Sequence, residues 1–360
     1  MGTTVKKRIY YFDLLKIISV LIVFLYHIYM DMYVIHPMHN FKTLESLLIR
    51  PNLNLGMFAC GIFIFISGAT LKLNERDESV LSFYKRRLVR ILIPFYITYI
   101  IYFFIRAITF RNIHLFGGIP KWRFIFTLMG IDEYLNAAGI STFSLGIGEW
   151  FLGCIILCYL AYPLLSYLNK KNYVITFLFM TAFYFYININ YDRYFTVMPS
   201  YFNFLSQVYN FYLGILFVEL KKDKKIVISD KMKVILIICN LSLLLYLYFS
   251  KKYLMIPDNF KTTVAIIVTY GLFSYLERYI ERFDLFTKNI DRFNKIAFEF
   301  FLVHHFVIYQ VDYIFGYRRV NGVTTLFIVL IDLIIIFVLA VIVERMSNFI
   351  TNLMYKRHNK

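Results

Sequence analysis

Apolar runs of about 18 or more residues recur along the whole of this 360-residue chain, and segments of that length and composition suit a lipid bilayer better than a soluble core. In hydrocarbon every backbone N–H and C=O must be satisfied within its own segment. The runs lack the polar alternation of outer-membrane strands, so helices are the expected solution. Composition agrees: 60% of residues are hydrophobic, only 17% are charged, and the mean hydropathy is +0.63. The pattern predicts ten membrane helices, at residues 12–33, 53–72, 91–110, 149–168, 172–189, 202–220, 233–250, 262–279, 295–315 and 323–344. The expected fold is all-α, one polytopic integral membrane domain over residues 1–345, followed by a short basic tail at 346–360. The first run carries its charges too deep for a cleaved signal peptide, and it is read as a retained first helix.

A net charge of +17 could suggest nucleic acid, but the distribution of the cations argues against such a partner. With the N-terminus cytoplasmic, the inner segments hold 26 of the 39 Lys and Arg, the outer ones 12, and Lys16 is the remainder. The excess of basic residues on one side predicts both termini in the cytoplasm of a multi-pass plasma-membrane protein. The loop Arg111–Gly148 is then outside, and within it PKWRFIFTLMGI has the makings of a short interfacial helix over the outer mouth. Cys60, Cys154, Cys158 and Cys239 all lie in apolar runs and read as small core residues.

Three ionisable residues stand inside the first run, RIYYFDLLKIISVLIVFLYHIYM, at Asp13, Lys16 and His27. Eleven residues bring a helix within about 20° of whole turns, so Lys16 and His27 share a face, about 16 Å apart along the axis. Ionisable residues at membrane depth cost roughly 2.5 to 3.5 kcal/mol each, and a row of them marks a functional path. The second run, GIFIFISGATL, carries Ser67-Gly68, a pair suited to close helix packing or to a polar lining. Lys85, Arg86, Arg87 and Arg90 crowd the inner start of the third helix. Arg87 and Arg90 share a face, and their guanidinium groups suit bidentate contact with phosphate, with Pro94 one turn further in. Glu149 and Trp150 open the fourth helix at the outer boundary, where capping and an aromatic belt compete with a site role. The ninth helix holds Glu299, His304 and His305. Adjacent histidines point about 100° apart, so one of the two is expected to face the cavity. A metal site would need more ligands at matching depth, no His-x3-His or Cys pair supplies them, and no metal is expected. Asp332 in the tenth helix is a further buried carboxylate.

In their order these motifs resemble the acyltransferase 3 family of integral membrane O-acyltransferases, from about Arg8 to about Ile342. The residues that carry the resemblance are FDLLKIISVLIVFLYH, with the family's basic residue, ten spacers and histidine at Lys16 and His27; GIFIFISG; RRLVRILIP, with Arg-x-x-Arg at Arg87 and Arg90; EWFL; YNFYLGILF; and FEFFLVHH. Ala297 stands where many members have a serine. Beyond the last helix only the basic tail follows, so the hydrolase-like domain fused to some members is not expected.

The resemblance implies transfer of an acyl group, usually acetyl, from cytoplasmic acyl-CoA to a hydroxyl of a cell-surface carbohydrate. The residues agree with it. A hydroxyl is a poor nucleophile near pH 7, and a histidine within reach contributes typically 100- to 10,000-fold as general base. His27 is assigned that role. Lys16, Arg87 and Arg90 would meet the anionic CoA, with Asp13 holding Lys16 from one turn away. The expected site is thus His27 and Asp13 for catalysis, with Lys16, Arg87, Arg90, Ser67, Glu149, Trp150 and His304 against the substrates. Acyl-CoA is the co-substrate, and the partners are the bilayer and a carbohydrate, with a homo-oligomer left open. Two other functions fit the polar stripe: a polysaccharide exporter without acyl transfer, and a proton-coupled transporter or sensor relaying through His27, His304 and Asp332.

Overall fold

The computed structural model describes residues 9–35, 42–110, 117–222, 230–280, 282, 284–315 and 321–356. The three basic residues counted before the first helix, residues 111–116 of the long loop, and the end of the basic tail lie outside them. Fifteen helices follow one another among the described residues: α1 Tyr10–Tyr29, α2 Lys42–Leu48, α3 Leu55–Leu73, α4 Val80–Phe110, α5 Phe124–Leu128, α6 Asp132–Ala137, α7 Glu149–Lys171, α8 Tyr173–Ile189, α9 Tyr191–Tyr194, α10 Phe204–Lys222, α11 Asp230–Phe249, α12 Asp258–Ile280, α13 Asp284–Asn294, α14 Ala297–Ile314 and α15 Gly322–Lys356. A two-residue antiparallel ribbon, Ile49–Arg50 with Leu53–Asn54, is the only sheet among them.

Ten of these helices coincide with the ten expected stretches. Among the described residues, five segments are by themselves long and apolar enough to span a bilayer: Tyr10–Met32, Leu55–Leu73, Val80–Thr109, Glu149–Lys171 and Gly322–Met354. The main departure is α4, which starts eleven residues before the expected 91 because Lys85, Arg86 and their neighbours are good helix formers that need no apolar setting. It runs on through Pro94, whose missing N–H removes the bond to the Arg90 carbonyl.

Close packing centres on α3. Its start is capped by Asn54, whose side chain accepts the Met57 N–H at 3.1 Å. A Cβ added to Gly68 would lie 2.1 Å from the Phe211 carbonyl oxygen, and one added to Gly214 would lie 2.0 Å from that of Phe65. Hence α3 and α10 meet backbone to backbone, as small residues permit. Helix α1 packs against α3, α13 and α14, while α15 packs against α14 and α4.

The segment Lys121–Leu128 forms the short helical piece expected in the long loop, a turn over Lys121–Arg123 leading into α5. Trp122, Ile125 and Leu128 stand exposed on it. The loop is tied to the bundle where Tyr134 packs over Gly153 and its hydroxyl accepts the Phe204 N–H at 3.0 Å.

At the opposite end, Lys72 is fully buried between Glu219 (2.9 Å) and Glu75 (3.1 Å). Burial opposes the charge on Glu75, but hydrogen bonds from Ser166, Lys170 and Lys72 outweigh it and hold the carboxyl down at about 2.

Candidate active site between two cavities

The face of α1 that carries Lys16 and His27 opens onto two cavities, one toward each end of the bundle. The first, about 220 Å³, lies at the Lys16 end and is lined by Lys16, Ser67, Arg87, Arg90, Tyr159, Lys295 and Glu299, with aliphatic and aromatic neighbours. Lys16 pairs with Asp13 at 3.7 Å, one turn back on α1. Arg87 is largely buried, and its Nε makes no hydrogen bond. A buried donor left unmade costs about 1–3 kcal/mol, so this wall can take an acceptor beyond those the described residues provide. Ser67 meets the Tyr159 hydroxyl. The Ser67-Gly68 pair thus serves both readings, Gly68 for packing and Ser67 for lining.

The second cavity, about 210 Å³, lies at the His27 end, lined by His27, Glu149, Trp150, His305, Tyr26, Cys60, Tyr201 and Tyr309 among others. Its centre is the Glu149 carboxylate. Oε1 lies 3.1 Å from His27 Nε2, 3.2 Å from His305 Nδ1 and 3.8 Å from His304 Nε2. These contacts join the first turn of α7 to the last turn of α1 and the middle of α14. None of them is aligned as a hydrogen bond: Oε1 and His304 Nε2 are buried and unpaired, their lone pairs turned into shared space. His304 Nδ1 meets the Phe301 carbonyl at 2.6 Å. That bond puts the proton on Nδ1 and leaves Nε2 as an acceptor.

The backbone here is strained to suit. Glu149 has φ +48°, the only positive φ at a non-glycine residue among those described, and it follows Gly146 (+77°) and Gly148 (+69°). Such a conformation costs of order 1–3 kcal/mol and is retained only where the surroundings impose it. A ring N–H of His305 reaches the Gly146 carbonyl, fixing this turn against α14.

His27, Glu149 and His304 each bring one donor atom within 4.8 Å of the others, a set that could hold a divalent ion. No motif spacing foretold it, because the three ligands come from three helices.

The sequence-predicted residues therefore divide between the ends. Lys16, Ser67, Arg87 and Arg90 line the first cavity, while His27, Glu149 and Trp150 line the second. Asp13 lies about 21 Å along α1 from His27 and contacts Lys16, which places it in the first group. Trp150 is buried and stacked on Phe202, with 4.5 Å between ring centroids, and so serves as wall. Of the histidine pair, His305 lines the cavity and His304 is buried behind Glu149. Asp332 is fully buried, with both carboxylate oxygens making no hydrogen bond. Lys295 and Tyr309 were not singled out in the sequence. Lys295 sits in an ordinary basic stretch, and Tyr309 is one of 31 tyrosines, so neither carries a local signal.

A family model described as an acyltransferase domain matches residues 9–345. No curated protein and no solved structure matches the chain.

Proposed function

The chain belongs to this acyltransferase family, and on that premise we propose that it moves an acyl group, acetyl above all, from cytoplasmic acyl-CoA to a hydroxyl of a cell-surface carbohydrate. One observation carries the reading: a cation-lined cavity and a histidine–carboxylate cavity lie back to back along one helix face. Arg87, Arg90, Lys16 and Lys295 supply fixed positive charge for the phosphates of CoA, and the planar guanidinium groups can each take two oxygens. Asp13 positions Lys16. The thioester end then points toward His27, about 16 Å deeper.

At the second cavity the acceptor hydroxyl occupies the space onto which Glu149 Oε1 and the ring nitrogens converge. His27 takes its proton as the oxygen attacks the thioester carbonyl. A C–O bond forms, the C–S bond breaks, and the proton passes from His27 to the departing CoA thiolate. Glu149 stabilises the transient imidazolium at 3.1 Å, the task a carboxylate performs beside any histidine base. Each turnover leaves the cluster as it began, and no step requires a metal. In this reading the Lys16 end faces the cytoplasm, and the loop carrying α5 and α6 lies outside.

His27→Ala tests the proposal in cells that make the acceptor. Surface polysaccharide should remain abundant while its ester-linked acyl content falls 100-fold or more, equivalent to at least about 2.7 kcal/mol of transition-state stabilisation. Normal acylation would sink the catalytic assignment. Polymer trapped inside the cell with unchanged acylation would favour an exporter.

A further inference from the structure

The two cavities are separated by three aromatic rings. Phe151 and Phe301 line both of them, and Phe63 lines the one at the Lys16 end. The rings touch one another: Phe151 and Phe301 are 5.0 Å apart at 65°, Phe63 and Phe151 5.8 Å apart at 69°, and Phe63 and Phe301 6.2 Å apart at 47°. Helical order places them consistently on α3, α7 and α14. On α3, Cys60 lines the second cavity and Ser67 the first, with Phe63 between. On α14, Glu299 lines the first and His305 the second, with Phe301 between. Phe151 and Phe301 are 5% and 4% exposed. Their edge-to-face arrangement is the favoured one for aromatic pairs, so the neck is closed at rest by contacts with a definite geometry. None of the three side chains bears a charge or a hydrogen-bonding atom.

We propose that this ring trio is the selectivity filter for the acyl group, admitting small, uncharged acyl thioesters and rejecting branched or anionic ones. The inference rests on the donor and direction assigned above. A polyanionic CoA head has its counter-charges on one side of the neck and none within it, so it stays there, and only the uncharged end of the molecule enters. A carboxylate on the acyl group would have to leave water with no partner among the rings, which is strongly unfavourable. A branched carbon would have to spread three rings held in mutual contact, where packing is dense and bulk is resisted.

The test uses membrane vesicles, right side out, prepared from the acceptor-producing cells and loaded with an equimolar mixture of acetyl-, isobutyryl- and malonyl-CoA carrying distinct isotopes. Acids released by base from the outer carbohydrate are then counted. For the unaltered protein, isobutyryl and malonyl incorporation should each fall at least tenfold below acetyl. Phe63→Ala should raise the isobutyryl-to-acetyl ratio at least tenfold and leave malonyl excluded, because the neck is wider and still apolar. Phe63 is only partly buried, and Phe63→Leu repeats the measurement with a smaller change should the alanine variant fail to assemble. Equal incorporation of acetyl and isobutyryl by the unaltered protein, or a ratio unmoved in both variants, overturns the filter while leaving the transferase reading intact. Absence of any labelled acyl group on the carbohydrate overturns the transferase reading and the filter with it.

Discussion

Replacing Glu149 by Gln keeps the size of the side chain and the backbone cost of φ +48°, while removing the charge that faces three imidazoles. At 3.1 Å and an effective dielectric constant of about 20, a carboxylate and an imidazolium attract by about 5 kcal/mol. The charge on His27 is only partly developed at the transition state, and a glutamine amide recovers about 1 kcal/mol as a neutral hydrogen bond. The net loss is then about 3 to 4 kcal/mol, a fall in acyl transfer of roughly 150- to 1,000-fold. Vesicles loaded with labelled acetyl-CoA measure the transfer, and calorimetry with free CoA on the purified protein shows whether the distant donor cavity is intact. CoA affinity should be unaffected. The double variant with His27→Ala should lose little more than His27→Ala alone, because residues that act as one unit are not additive. Transfer within tenfold of normal in Glu149→Gln, or a double variant whose loss is the product of the single losses, would refute the coupling of this carboxylate to His27.

Arg87→Lys keeps the charge but loses the fork and the buried Nε; CoA binding by calorimetry should weaken by about 1 to 3 kcal/mol, whereas Lys85→Ala should leave it unchanged. A cysteine at the exposed Lys121, in a background without the four native cysteines, should react with an impermeant thiol reagent on intact cells, and labelling only after permeabilisation would reverse the orientation. Lys72→Met strands Glu75 and Glu219 at the other end of α3. Breaking a fully buried pair costs about 3–5 kcal/mol, and because these carboxylates are 22% exposed the expected loss of stability in detergent is nearer 2–3. The Glu75 carboxyl is held at about 2 in the folded protein, below its ordinary 4.5. Its contribution is therefore complete above about pH 4.5 and lost as pH falls through about 2, a decline that acid titration of unfolding should detect in the parent and find reduced in Lys72→Met.

The ten helical stretches were legible because length and apolarity are properties of consecutive residues, and five of them are long and apolar enough to span a bilayer; so was the shared face of Lys16 and His27, which follows from helical periodicity. The pairing of Arg87 with Arg90 on one wall was readable for the same reason. What escaped was whatever depends on three helices meeting. His27 and Glu149 are 122 positions apart in the chain, so no local pattern could reveal that they are 3.1 Å apart. Both histidines of the His304-His305 pair reach Glu149 although they diverge on their own helix, because the carboxylate is lowered between them by an unusual backbone turn. The ring trio was hidden by abundance, being three of 39 phenylalanines.

The glycine contact between α3 and α10 has a mechanical consequence. With Gly68 against the Phe211 carbonyl and Gly214 against that of Phe65, no side chain lies between the two backbones at these points, and sliding one helix along the other would drive backbone into backbone there. The pair is suited to act as a stator. Under the proposed transfer, any widening between the two cavities would fall to α7 and α14, whose rings approach α3 through side chains that can rotate. In the proposed reaction Cys60, Phe63 and Ser67 would then be the fixed marks along the path, and the adjustable walls those of α7 and α14.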